Sequence, residues 1–186
     1  MEAANLNVTT GQAIQDFYDK HDFGEDGGIN KKYAWIKFGF FSIPIPNSKS
    51  RRDHVYLHDV SHIVTGHDTT WKGESAVSAW EIASGGWKNL YLPWLLTLWA
   101  MGLGVLFYTS NTLKSFRQGR TMNNALTCGL SKNDIYKLSV ADLRDFLSNN
   151  PTRHKNPYVW MFLSFIIFLT PFIIGLLVIW TIIKYI

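Results

Sequence analysis

The run from Tyr158 to Trp180 holds 23 residues without one charged side chain and continues apolar to Ile183 before Lys184. A bilayer's hydrocarbon core, about 30 Å thick, is filled by roughly 20 helical residues, so this run is long enough to cross one. The constraint on folding is severe, because away from water a single segment satisfies its own backbone only as a helix. Residues 156–186 are therefore expected to form a C-terminal transmembrane anchor. Pro171 removes one helical hydrogen bond from the middle of the run and, with Gly175, allows a kink or a re-entrant path. Arg153, His154 and Lys155 precede the run. By the positive-inside bias they put the chain before it on the cytoplasmic side.

A second uncharged run extends from Leu90 to Thr109. Hydropathy alone makes it another span. That reading would strand the residues before 90 and after 109 on opposite sides of the membrane, unable to share one core. Pro93, Trp94, Trp99, Gly102 and Gly104 equally suit a helix packed within a fold or lying in the interface. Residues 90–109 are accordingly expected to be packed or interfacial, with both halves of the chain on one side.

Charge divides along the chain. Residues 1–89 carry nine Lys/Arg against eleven Asp/Glu, and residues 111–157 carry eight against three. The basic stretch lacks the interleaved aromatics of a nucleic-acid stacking platform and adjoins apolar segments, which favours anionic lipid headgroups over nucleic acid. Cys128 is the lone cysteine. It excludes an internal disulfide, and no basic, then apolar amino-terminal signal points to secretion.

Chemistry concentrates in His58-Asp59-Val60-Ser61-His62 and in Glu74, twelve residues later. At about 100° per helical residue, His58, His62 and Asp59 fall at roughly 0°, 40° and 100°, one arc of a helix surface. Gly66 can end that helix, and a short polar connection leads to Glu74, which opens a second helical pattern able to fold back. The four residues make an N2O2 metal site. Neutral imidazole suits zinc first, with iron or another divalent metal as alternatives, and two carboxylates offset the cation's charge. The competing reading is a solvated His-Asp helix face. His54, one turn before His58, is either a further ligand or structural, and His67 in the connection has the same ambiguity.

The remaining sequence reads as helices. Residues 1–30 supply a helix over Gln12–His21 with Ala13, Ile14, Phe17 and Tyr18 on its apolar stripe, then a polar, glycine-rich loop. Ala34 to Ile45 is aromatic and β-branched, and Ile43-Pro44-Ile45-Pro46 enforces an extended strand or arm. Asp53 is predicted to cap the metal-site helix. Ser75 to Ser84 reads as amphipathic, with Ala76, Val77, Trp80 and Ala83 on one side and Gly85-Gly86 at its end. Leu113–Leu126 forms a further helical pattern, Ser131–Tyr136 a turn into a short helix, and Ser139 caps Val140–Leu147 with Leu143 and Phe146 inward. The expected fold is all-α: a helical metal-binding domain over residues 31–150 followed by the membrane anchor.

His58-Asp59-x-x-His62, eleven residues, then Glu74 resembles the signature of the ubiquinone-biosynthesis zinc protein family, helical proteins assigned to ring C1 decarboxylation and hydroxylation. Gly73-Glu74 before Trp80-Glu81, Leu92-Pro93 opening an apolar stretch, Phe116-Arg117-Gln118-Gly119-Arg120, and Val140-Ala141-Asp142-Leu143-Arg144 are similar to that family's order of elements, over roughly residues 30–150. The resemblance implies zinc on His58, Asp59, His62 and Glu74, an apolar channel for a polyprenylated ring, and catalytic roles for Glu74 or Asp59 as exchangeable ligand and base. It implies a prenyl-quinone-type lipid as ligand and other membrane or biosynthetic-complex proteins as partners. The run from Tyr158 to Ile186 departs from the family pattern. A second expectation, of a different class, is a non-catalytic assembly or lipid-presenting subunit whose metal pins two helices together. Membrane di-iron hydroxylases carry several histidine boxes, which the six scattered histidines here do not supply. A His-Asp phosphohydrolase needs further metal-binding positions spread along several helices, and only His67-Asp68 offers a second doublet.

Overall fold

The computed structural model describes residues 6–38, 41–149 and 154–186. Among them are eight helices and one two-stranded hairpin: α1 (Thr10–His21), β1 (Tyr33–Phe38), β2 (Phe41–Pro46), α2 (Lys49–Thr65), α3 (Trp71–Ser84), α4 (Tyr91–Phe107), α5 (Thr109–Gly119), α6 (Lys132–Lys137), α7 (Val140–Ser148) and α8 (Pro157–Tyr185). The chain is all-α in class, and it packs as two compact units, one of residues 1–66 with 129–146, the other of residues 67–128 with 147–186.

In the first unit, α1 packs on α2 and α6. Ile14 and Phe17 of its apolar stripe are buried, as is Tyr18, whereas Ala13 is not. The segment before α1 is tied down by backbone pairing: Thr10 N–H donates to Leu138 O at 2.7 Å and Val140 N–H to Val8 O at 3.0 Å. The extended arm is an antiparallel hairpin, with Trp35 opposite Pro44 and Ala34 opposite Ile45. Prolines at 44 and 46 lack an N–H, and a two-stranded ribbon, all edge, tolerates that loss. Asn47, buried directly after β2, donates Nδ2–H to the carbonyls of Gly28, Ile29 and Lys31 and so closes the glycine-rich loop onto the start of α2.

Asp53 does not cap α2. The helix starts four residues earlier, at Lys49, because Ser48 Oγ accepts from Arg51 N–H at 3.2 Å. Asp53 instead pairs with Lys49, Nζ to Oδ2 at 2.6 Å, one turn apart on an exposed face. The predicted stop at Gly66 is observed: its φ of 70° is left-handed, and its N–H returns to His62 O. A residue with a Cβ would be strained there.

In the second unit α3 is central and is not amphipathic. Gly73 and every residue from Ser75 to Ser84 are buried. The polar positions of the pattern are the buried Glu81 and three serines, of which Ser75 and Ser84 turn their hydroxyls onto the helix's own carbonyls, Lys72 O and Glu81 O. A helix with such a face can be covered all round. α4 and α5 pack against it, and Ala79, Ile82, Ala83, Met101, Phe116 and Met161 form the core. The helix expected over Leu113–Leu126 begins at Thr109 and ends at Gly119, which lies against Trp80 O too closely for a Cβ at 2.5 Å. Asn124 then holds the following turns through Gly86 O at 3.0 Å. In α7, Ser139 Oγ accepts from Asp142 N–H as expected and Leu143 is buried, but Phe146 is exposed and Leu147 is buried in its place.

α4 is a packed helix, lying against α3 and along the first half of α8. α8 runs unbroken through Pro171 for 29 residues. Pro157, Met161, Ser164 and Phe168 form its buried stripe, and every residue from Thr170 onward is exposed. It is the one helix among the described residues long and apolar enough to cross a membrane, and it can serve as an anchor.

Candidate metal centre

The centre is built on the second half of α2. His58 and His62, four residues apart, stand on adjacent turns of one face, His62 buried and His58 half-buried. Their rings are perpendicular with centroids 4.8 Å apart, and the two Nε2 atoms lie 3.2 Å from one another. Zinc–nitrogen bonds of about 2.0–2.1 Å meeting at a tetrahedral angle place two nitrogens roughly 3.3 Å apart, a spacing the pair matches. Phe17 of α1 stacks on His62 at 5.4 Å and 29°, fixing the imidazole plane.

Asp59 is buried between these histidines in sequence, and its Oδ2 accepts the Tyr18 hydroxyl at 2.7 Å. Burial holds the Asp59 carboxyl above the usual range, opposed by the positive potential of His58, by the Tyr18 hydrogen bond, by His62 and by Arg51. Tyr18 in turn is driven far above an ordinary phenol, first by burial and then by the Asp59 charge. Tyr136 is pushed up to about 12 by burial and by the same carboxylate. Burial lowers Arg51, while Asp59 and Tyr18 act against that loss. An ionised Asp59 carboxylate beside the histidine pair would favour a bound cation, and a cation would in turn favour its ionised form.

Glu74 lies in the first turn of α3, half-buried. Thr70 caps that helix by accepting from Gly73 N–H, and Glu74 N–H donates to Thr70 O at 2.7 Å, so the backbone carrying the carboxylate is fixed. A carboxylate also suits a helix N-terminus. His58, His62 and Glu74 are a donor set that can hold a divalent metal ion. Imidazole and carboxylate together accept zinc, iron and their neighbours alike.

His67 is engaged elsewhere. Its Nε2 lies 3.3 Å from Ser115 Oγ, and that hydroxyl already donates to Ala76 O at 2.7 Å, so the imidazole is the donor in the contact and ties the α2–α3 connection to α5. His54 sits one turn before His58 in α2, half-buried. Two residues that the motif did not reveal, Phe17 and Tyr18, shape the centre from α1. Their signal in the sequence, two aromatics on an apolar stripe, is that of any core helix.

α2's last turn has a second support. Arg144 of α7 donates Nε–H to Val64 O at 2.7 Å and Nη2–H to Ile63 O at 3.2 Å, satisfying carbonyls that the helix end leaves open. Arg144→Met is expected to cost about 2 kcal/mol, the scale of charged hydrogen bonds to buried acceptors. Chemical denaturation of the metal-free protein checks it, and an unchanged midpoint would show that the guanidinium contributes nothing to holding this turn.

Comparison of the chain with protein-family models, curated proteins and solved structures gives no match. Fold and site therefore define a class directly: an all-α protein with a His-His-Glu donor set capable of holding a metal and an apolar C-terminal helix long enough to anchor it in a membrane.

Proposed function

We propose that the protein is a membrane-anchored metalloenzyme of prenyl-quinone metabolism, acting as a metal-dependent oxidative decarboxylase on a prenylated aromatic acid. The observation that carries the metal is the 3.2 Å approach of His58 Nε2 and His62 Nε2 on a helix backed by buried Asp59. Zinc is the first choice of ion, with Glu74 closing the donor set and Asp59 as fourth ligand or as the carboxylate that offsets the charge. The substrate class is supported by the spacing of His58, Asp59, His62 and Glu74, which resembles the ubiquinone-biosynthesis zinc proteins, and by the apolar surface of α8, which suits a ligand that lives in a bilayer. When bound, the metal would supply a Lewis acid that polarises a ring carboxylate or oxygen. Phe17 would hold the His62 ring in place, Tyr18 would hold the Asp59 carboxylate, and Glu74 or Asp59 would serve as base. Arg153, His154 and Lys155 ahead of α8 support a cytoplasmic position for the metal-binding part.

A non-catalytic assembly or lipid-presenting subunit with a structural metal is the second reading, favoured by the same apolar α8. The two separate by experiment. Metal-loaded protein in lipid vesicles, offered a prenylated hydroxybenzoate and an oxidant, should release carbon dioxide, and chelation should stop turnover while leaving the helical signal intact. Loss of fold on chelation, with no turnover by the loaded form, would establish the structural role and end the catalytic one.

A further inference from the structure

We propose that the α4–α5 corner, Leu106-Phe107-Tyr108, dips into the same bilayer leaflet that α8 enters, so that α4 and α8 form one membrane-inserted helix pair. The inference rests on α8 being a span and adds a second, independent lipid contact.

α4 and α8 run in parallel within their unit. Near their starts Trp94 stacks on Trp160 at 5.7 Å; further along, Trp99 meets Phe168 at 5.2 Å, and a Cβ added at Gly102 would run into Ser164 O and Phe168 Cβ. Advancing along α8 toward its exposed half therefore advances along α4 toward Phe107. The far end of the apolar stretch is marked by Lys184, whose Nζ lies 5.3 Å from the Trp180 ring and 5.6 Å from Tyr185, the aromatic-plus-lysine pairing of a membrane interface.

Length then decides the depth. From Pro171 to Lys184 there are 14 residues, about 21 Å of helix, too short for a hydrocarbon core of about 30 Å. Counting about 20 residues back from Lys184 brings the near boundary to Ser164 and Phe165. Ser164 is the residue that Gly102 lies against. Leu106 and Phe107 lie four and five residues beyond Gly102, about 6–8 Å inside that boundary. A tilted α8 needs more residues to cross and draws in still more of α4.

The corner is made for this. No Asp, Glu, Lys or Arg occurs from Asn89 to Leu113. Leu106 and Phe107 are 48% and 64% exposed, large apolar side chains facing outward where water would penalise them. Two of the hydroxyls beside the corner return to helix carbonyls, Thr109 Oγ1 to Val105 O at 2.6 Å and Thr112 Oγ1 to Tyr108 O at 3.1 Å, so these two carry no unmet donor into lipid. Lys114 and Arg117, exposed further along α5, bring positive charge where the helix climbs back toward headgroups.

Spin labels test it on the full chain. With Cys128→Ser as background, single labels are placed at Leu106→Cys, Phe107→Cys, Gln118→Cys and Val178→Cys, and the protein is reconstituted in phosphatidylcholine–phosphatidylglycerol vesicles. Labels at 106, 107 and 178 should lose broadening by a water-soluble nickel chelate and gain broadening by oxygen, and the label at 118 should do the reverse. Nickel access at both 106 and 107 with 178 shielded would overturn the inserted corner while leaving the span intact. Nickel access at all four would overturn the span and the corner together. Two neighbouring exposed positions, each checked for unchanged helicity, keep one poorly behaved variant from deciding the result.

Discussion

His62→Ala is expected to strip the protein of its stoichiometric metal. Structural zinc sites bind with roughly 10–16 kcal/mol shared among about four ligands, so one lost donor weakens affinity on the order of 10²–10³-fold. His62 is the more demanding choice of the two histidines because it is buried and stacked on Phe17, so no water-exposed rotamer of a neighbour replaces it. Elemental analysis of wild-type and variant protein purified side by side reads the effect. A thermal shift on adding zinc provides a second readout, since a ligand at a thousandfold excess over its dissociation constant stabilises by about 4 kcal/mol. Glu74→Gln should weaken binding in the same direction, and Asp59→Asn separates a ligand from a charge partner by whether metal is lost or only loosened. A direct N–H···N hydrogen bond between the imidazoles has the same 3.2 Å separation. If wild-type protein carries no stoichiometric metal, or His62→Ala retains it, that bond is the whole content of the pair and the proposed chemistry falls with it.

Gly102→Val should be the most damaging substitution in the apolar helices. Its Cβ would meet the Ser164 carbonyl oxygen, which is backbone and cannot swing aside, and Phe168 Cβ at 2.5 Å. α4 and α8 would have to separate, and the core around Met101 and Met161 would open with them. Overpacking at such a crossing costs about 3 kcal/mol, the upper end of its usual range. Gly175→Val is the matched control: it lies in the exposed half of α8, and an added Cβ meets nothing within 4 Å. Thermal unfolding in detergent should show a large drop for the first and almost none for the second. Equal effects would mean that the close approach of α4 and α8 is not what makes Gly102 necessary.

How much of this was legible in the sequence depends on how local the governing physics is. The His58–His62 spacing, the stop at Gly66, the Ser139 cap and the apolar length of α8 each follow from residues within a few turns of one another. Local rules also misled where a competing cap or a neighbour intervened. Ser48 captured the start of α2 from Asp53, and the serines of α3 imitated a solvent face while bonding their own helix. The 90–109 run was ambiguous because an apolar helix has the same composition whether its neighbours are lipids or other helices.

The sequence by itself determined the helical class, the spacing of His58 and His62 on α2 and the length of the apolar C-terminal helix, because periodicity, capping and hydropathy are properties of contiguous residues. Only the tertiary structure decided that Phe17 and Tyr18 support the centre, from 45 and 41 residues before the groups they touch, and that α3 is buried at every residue from Ser75 to Ser84. It alone also aligned α4 with α8, through the fit of Gly102 to Ser164 and Phe168. Such contacts depend on which surfaces meet, and shape complementarity between distant segments leaves no periodic trace in either of them.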